Sequence, residues 1–150
     1  VGLEQTIIDA TKDIFVNMIM MGATPGTPYQ GKGEALIDSV TGMINLAGSH
    51  SGLLAIHLPT QAALEVSGSF LDLEIEELDD DVLDSIGELA NMLAGNIKAE
   101  LDPTGSSIQL SIPTTMHGDQ YNIERIAGTS SLCVPFYLDD GDFVIELQLT

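Results

Sequence analysis

The sequence has 150 residues, 44% of them hydrophobic, enough for a single domain (1–150) with a sizeable core. Its 4 basic residues stand against 23 acidic ones, a net charge of −19, and a surface this negative repels nucleic acid and anionic membranes. One cysteine, Cys133, excludes an intrachain disulfide; in the apolar run Leu132-Cys-Val-Pro-Phe it reads as a buried small hydrophobe, since a nucleophilic thiol would want a basic neighbourhood.

Residues 4 to 21 carry Ile7, Ile8, Thr11, Ile14, Phe15, Met18 and Ile19 at helical spacing, and Gly22, Pro25, Gly26 and Pro28 end that helix. A Gly/Pro-rich loop follows over 23–35. Ser39 to Ala47 and Gly52 to Leu58 read as strands joined by the turn Gly48-Ser-His-Ser-Gly52, a hairpin pattern. Pro59-Thr60 opens a short helix to about Phe70, and an acidic connector runs from Asp72 to Asp81. Asp79 to Asp81 supply an N-cap and favourable charge for a long helix from about Val82 to Leu101, which Asp102-Pro103 stops. Strands are expected at Ile108 to Pro113, at Ala127 to Leu138 (where Pro135 suggests an edge or irregular position) and at Phe143 to Leu149, a candidate sheet edge. The order helix–strand–strand–helix, then helix–strand–strand–strand, hints at an internal duplication. No signal peptide is recognisable, and the run Ile14 to Met21 is too short to span a bilayer, so no membrane association and a cytoplasmic location are expected.

The long helix carries the chemistry. Asp84, Glu88, Asn91 and Gly95 stand at i, i+4, i+7 and i+11, which at about 100° per residue places them on one narrow stripe. Leu83, Ile86, Leu89, Ala90, Leu93, Ala94 and Ile97 fall on the opposite side and suit a core. A merely solubilising face would hold Lys, Glu, Arg and Gln. Here it holds asparagine and glycine, both poor helix formers, and a mid-helix glycine costs about 1 kcal/mol relative to alanine. That pattern suits close approach by another chain. Asparagine has no useful pKa, but it donates and accepts hydrogen bonds at once and can fix a water molecule. Such help suffices for an acyl phosphate, which is already activated and lacks only an in-line water.

Asp84 followed by Glu88-Leu-Ala-Asn91-Met-Leu-Ala-Gly95-Asn96, together with the strand Gly52-Leu-Leu-Ala-Ile-His57-Leu-Pro59 and the element order, resembles the CheC/CheX/FliY family of bacterial phosphatases acting on the chemotaxis regulator CheY. The resemblance covers nearly the whole chain. It carries one intact motif, in its second half, as CheX-type members do. Asn17 and Gly22 faintly echo a first-half copy, but Ile14 replaces the glutamate. The resemblance implies an α/β (α+β) CheC-like fold: an antiparallel-rich sheet packed by two long helices in a pseudo-duplicated helix–strand–strand arrangement. It also implies that Asn91 orients water against the phosphoaspartate of a CheY-like response regulator, that Glu88 pairs with the regulator's lysine, and that Asp84 and Gly95 frame the contact. The chain would need no cofactor or metal of its own, because Mg2+ would sit in the regulator, and it would be a homodimer.

Two other classes fit the same residues. One is a non-catalytic module that binds a receiver, a flagellar switch or a sensory protein. The other is a carboxylate-based metal hydrolase using the eight acids within the thirteen residues Asp72–Asp84, although no Gly-centred calcium loop is present. His50, His57 and His117 have no zinc spacing, and no Gly-x-Ser-x-Gly elbow or phosphate-cradling glycine loop occurs.

Overall fold

The computed structural model describes residues 2–150. Helix α1 (Leu3–Ile14) passes without a break into a π-helical turn, Phe15–Ile19. The two bury Ile7, Ala10, Thr11, Ile14, Phe15 and Ile19 on one side. The predicted helix over 4–21 therefore stops earlier: Met20 takes a left-handed backbone (φ 63°), and the Met21 N–H closes back on the Phe15 carbonyl at 3.0 Å. The Gly/Pro-rich loop holds two short strands, β1 (Thr24–Pro25) and β2 (Tyr29–Gln30). The hairpin β3 (Leu36–Gly48) and β4 (Gly52–Pro59) follows, then α2 (Thr60–Leu71) and the long helix α3 (Asp80–Leu101). The chain continues through β5 (Ile108–Leu110), β6 (Thr114–Tyr121), β7 (Ser130–Leu138) and β8 (Gly141–Leu149).

All strand pairs are antiparallel, in the order β1-β7-β8-β4-β3-β5, with β2 also on β7 and β6 also on β3. The duplication is more complete than the sequence suggests. In the first half α1 is followed by four strands and in the second α3 is followed by four. The hairpins β3–β4 and β7–β8 meet through β4 and β8, and each half's first two strands cross over: β1 and β2 pair with β7, while β5 and β6 pair with β3. Only α2 has no counterpart. The helical layer thus holds the two long helices, α1 with its π-helical turn and α3, and the shorter α2.

Three expectations need correction. The final strand is not an edge: β8 is paired on both sides, by β7 and β4, because Phe143, Ile145 and Leu147 belong to the core on one face while Glu146 and Gln148 are buried on the other. Strand β6 escapes sequence reading because Thr-Thr-Met-His-Gly-Asp-Gln-Tyr has no apolar side; its register against Leu36–Met43 of β3 holds it. The run expected from Ile108 to Pro113 ends as a strand at Leu110. Pro135 does sit at an irregular place, between the residues of β7 that β1 and β2 pair with.

Helices cover one face of the sheet, with α3 on β3 and flanked by α1 and α2. Beneath them lie Val40, Ile44, Leu54, Ile56, Leu58, Ile145 and Leu147, all essentially inaccessible. Phe143 is stacked between Phe15 and Phe136, with ring centroids 4.8 and 5.2 Å away, joining α1 to the β7–β8 half. Where α3 crosses β3 the residue is Gly42. A Cβ there would lie 2.8 Å from the Ile86 carbonyl oxygen, 3.0 Å from Ile86 Cγ2 and 3.3 Å from Ala90 Cβ. The bare backbone of β3 thus sets how close the helix sits. Gly42→Ala is expected to push α3 outward and to cost about 1–3 kcal/mol, the usual range for overpacking a core. Urea denaturation measures this; an unchanged midpoint would show that the helix yields freely at the crossing.

Candidate active site on the long helix

Helix α3 is fixed at both ends. At its start the Asp79 carboxylate accepts the Val82 N–H at 3.0 Å, and Asp80 and Asp81 add negative charge to the first turn, where the helix dipole favours it. At its end the Asp102 carboxylate is buried and accepts hydrogen bonds from the Ser107 and Ile108 N–H groups at 2.8 and 2.9 Å and from the Thr104 hydroxyl at 3.0 Å. Hydrogen bonding from Ser107, reinforced by Ile108 and Thr104, outweighs burial and holds the Asp102 carboxyl well below the usual carboxylate range.

Between those ends the two faces separate as the spacing predicts. Val82, Ile86, Leu89, Ala90, Leu93, Ala94 and Ile97 are buried. Asp84, Glu88 and Gly95 are exposed, and Asn91 is half-buried. No intramolecular hydrogen bond or ion pair occupies Asp84, Glu88 or Asn91 among the described residues. Glycine is not demanded by the fold at Gly95: a Cβ would meet nothing within 4 Å. This contrasts with Gly42 and leaves a gap in the stripe that the protein's own packing does not use. From Asp84 to Gly95 the stripe is about 16 Å long at 1.5 Å per residue.

The first-half echo does not form a second stripe. Asn17 lies in the π-helical turn and donates to the Asp13 carboxylate at 2.7 Å, Ile14 is buried, and Gly22 lies beyond the helix.

A second cluster, not foreseen from sequence, lies on the sheet face away from the helices. The Tyr121 and Thr41 hydroxyls are 2.8 Å apart, Thr41 is 2.9 Å from His57 Nδ1, and His57 Nε2 meets Glu146 Oε1 at 2.8 Å. Ser131 and Gln148 donate to the other Glu146 oxygen. Burial alone would raise the Glu146 pKa, but the bonds from His57, Ser131 and Gln148 more than reverse it and the net shift is downward. A cavity of about 350 Å³ adjoins this row, lined among others by Tyr29, Cys133, His57 and Glu146. Every polar side chain in the row has a partner within it, and burial pushes the Cys133 thiol up to about 11, which disfavours the reactive thiolate. His57 and Glu146 are 89 residues apart, and nothing local in the sequence links them. The alternation of Glu146 and Gln148 with apolar residues along β8 was the one available signal.

Among the described residues no three His, Cys, Asp or Glu side chains converge to hold a metal ion. No helix is long and apolar enough to cross a membrane. What remains is an amide, two carboxylates and a gap on one helix face, with no hydroxyl, thiol or imidazole among the four stripe residues. Such a stripe can hold a water and grip a cation, but it needs reactive groups from elsewhere.

Residues 40–137 match the family model of the chemotaxis phosphatase CheX. The CheY-P phosphatase CheX of Thermotoga maritima is 27% identical over 112 residues, covering 74% of this chain and 72% of that protein. The crystal structure of CheX from Desulfovibrio desulfuricans superposes with a TM-score of 0.88 at 25% identity, over 100% of both chains. That of Borrelia burgdorferi CheX, solved as a complex with CheY, BeF3 and Mg2+, gives 0.83 at 24% identity, over 99% of this chain and 98% of that one. The matched segment spans β3 to β7 with the whole of α3, so the chain carrying this stripe belongs to the CheX family of chemotaxis phosphatases.

Proposed function

We propose that this chain is a phosphatase of a CheY-like response regulator, hydrolysing its aspartyl phosphate by laying the Asp84–Gly95 face of α3 into the regulator's active site. The observation that carries the reading is the stripe itself: Glu88 and Asn91 stand one turn apart on a helix pinned at both ends, with no intramolecular partner among the described residues.

Asn91 orients a water in line with the phosphorus, accepting a hydrogen bond from it through the amide oxygen. The water oxygen bonds to phosphorus, the bond from phosphorus to the aspartate oxygen breaks, and inorganic phosphate leaves with the regulator's carboxylate restored. The water's proton passes to the phosphate oxygens or to solvent. The leaving group is already a carboxylate, so no acid is needed, and position is the main contribution. Glu88 pairs with the regulator's lysine and sets the register. Asp84 and Gly95 frame the contact. Magnesium belongs to the regulator in this scheme and neutralises charge on its phosphate. The CheX–CheY complex with BeF3 and Mg2+ from Borrelia burgdorferi supports that arrangement.

We read the working form as a cytoplasmic homodimer. The support for a dimer is β6, which pairs with β3 and is largely exposed along its length, an edge suited to a second copy.

Phosphate release from a magnesium-loaded, phosphorylated CheY-type receiver tests the reading. Asn91→Ala is expected to lose about 100-fold or more of the acceleration, as loss of a transition-state contact does, with its melting temperature nearly unchanged. A folded variant with full activity would remove the water-positioning role. Glu88→Ala should raise the amount of chain needed for half-maximal rate by about tenfold or more, as when one member of a desolvated charge pair is removed; an unchanged titration would remove the anchoring role. Gly95→Leu should fold at least as well as wild type, gaining up to about 1 kcal/mol of helix propensity, and yet fail to act on the receiver. Normal kinetics in that variant would mean that no partner backbone approaches Gly95.

A further inference from the structure

Beside the stripe lies a cleft of about 450 Å³ whose walls differ in character: Phe70, Leu71 and Leu73 form one, and Asp81, Asp84, Ser85 and Glu88 the other. The apolar wall arises from how α2 ends. Asp72 takes the left-handed conformation (φ 56°), and the Leu73 N–H bonds to the Gly68 carbonyl at 2.9 Å, the six-to-one bond of a Schellman ending. In that motif the residue after the left-handed one ordinarily packs on the residue whose carbonyl it binds. Here that residue is Gly68, which has no side chain. It cannot have one, since a Cβ would lie 2.7 Å from the Leu73 carbonyl oxygen. Leu73 is therefore left 59% exposed and Leu71 38% exposed, in the cleft that Glu88 closes.

We propose that this cleft is the specificity surface for the regulator, and that it takes an apolar side chain set beside the lysine held by Glu88. The proposal rests on the docking role given to Glu88 and Asn91 above. Two features name the occupant. The cleft shares Asp84 and Glu88 with the stripe, so a chain seated on the stripe covers Leu71 and Leu73. Its other wall sets three carboxylates beside the neutral Ser85, with no cation, in a chain of net charge −19, so a segment that is apolar and cationic together is the complement. A second copy of this chain, with only 4 basic residues, is a poor match.

The test titrates a fixed amount of magnesium-loaded, phosphorylated CheY-type receiver with wild type, Leu73→Ser, Leu71→Ser/Leu73→Ser, Leu73→Met and Asn91→Ala, each checked by thermal unfolding. The serine variants are expected to raise the half-saturating concentration, by about tenfold in Leu73→Ser, the size expected when one leucine loses its burial. The rate at saturation should stay within about twofold, and Leu73→Met should restore wild-type affinity. A wild-type titration for Leu73→Ser, with Asn91→Ala inactive, overturns the cleft and leaves the stripe standing. Serine variants that lose saturated rate with lowered melting temperature, rather than affinity, overturn it as well, because the leucines would then be structural. Glu88→Ala titrated alongside reports on the docking reading itself: a wild-type titration for that variant would overturn the docking on which the cleft depends.

Discussion

The contact of α3 with β3 at Gly42 is the constraint on which the rest of the structure depends. A helix can present a rigid outer face only if its inner face is held, and here the inner face rests on bare backbone. Ile86 and Ala90, which meet Gly42, lie between the stripe residues Asp84, Glu88 and Asn91 in sequence but on the other side of the helix. The residues that fix depth and those that face outward therefore alternate within the same three turns. The N-cap at Asp79 and the buried Asp102 carboxylate fix the helix lengthwise.

The two sheet faces solve different problems. The helix-covered face is apolar and closes around the stacked rings of Phe15, Phe143 and Phe136. The far face buries Thr41, His57, Ser131, Glu146 and Gln148, a concentration of polar groups that is tolerable only because each finds a partner. The outer stripe of α3 inverts that logic: among the described residues Asp84, Glu88 and Asn91 have no intramolecular partner, which costs little at a surface and would leave them available to a docked protein.

Much of this was legible in the sequence where the pattern was periodic. The long helix, its cap, its buried side and its stripe all follow from 3.6-residue spacing and from Asp79 and Asp102-Pro103. The central hairpin follows from the continuous apolar run of β4. What was not legible was what only the far partner decides. Strand β6 has no apolar side, β1 and β2 are two residues each, and the central place of β8 depends on β4, some ninety residues earlier. The His57–Glu146 pair is of the same kind. The exposed Leu73 was read only as part of an acidic linker, because its exposure follows from the Gly68 turn.

The exchange of leading strands between halves has a consequence for how such a chain can evolve. Because β1 and β2 complete the second half's sheet, and β5 and β6 the first half's, neither half has a closed set of neighbours by itself. The two repeats are tied together as architecture and cannot drift apart into separate modules. They remain free to diverge in chemistry, since the outer face of each long helix takes no part in the exchange. One repeat could let its helix face lapse into plain scaffolding, as at Ile14 and Asn17, while the other kept a working surface, with no loss to the shared sheet.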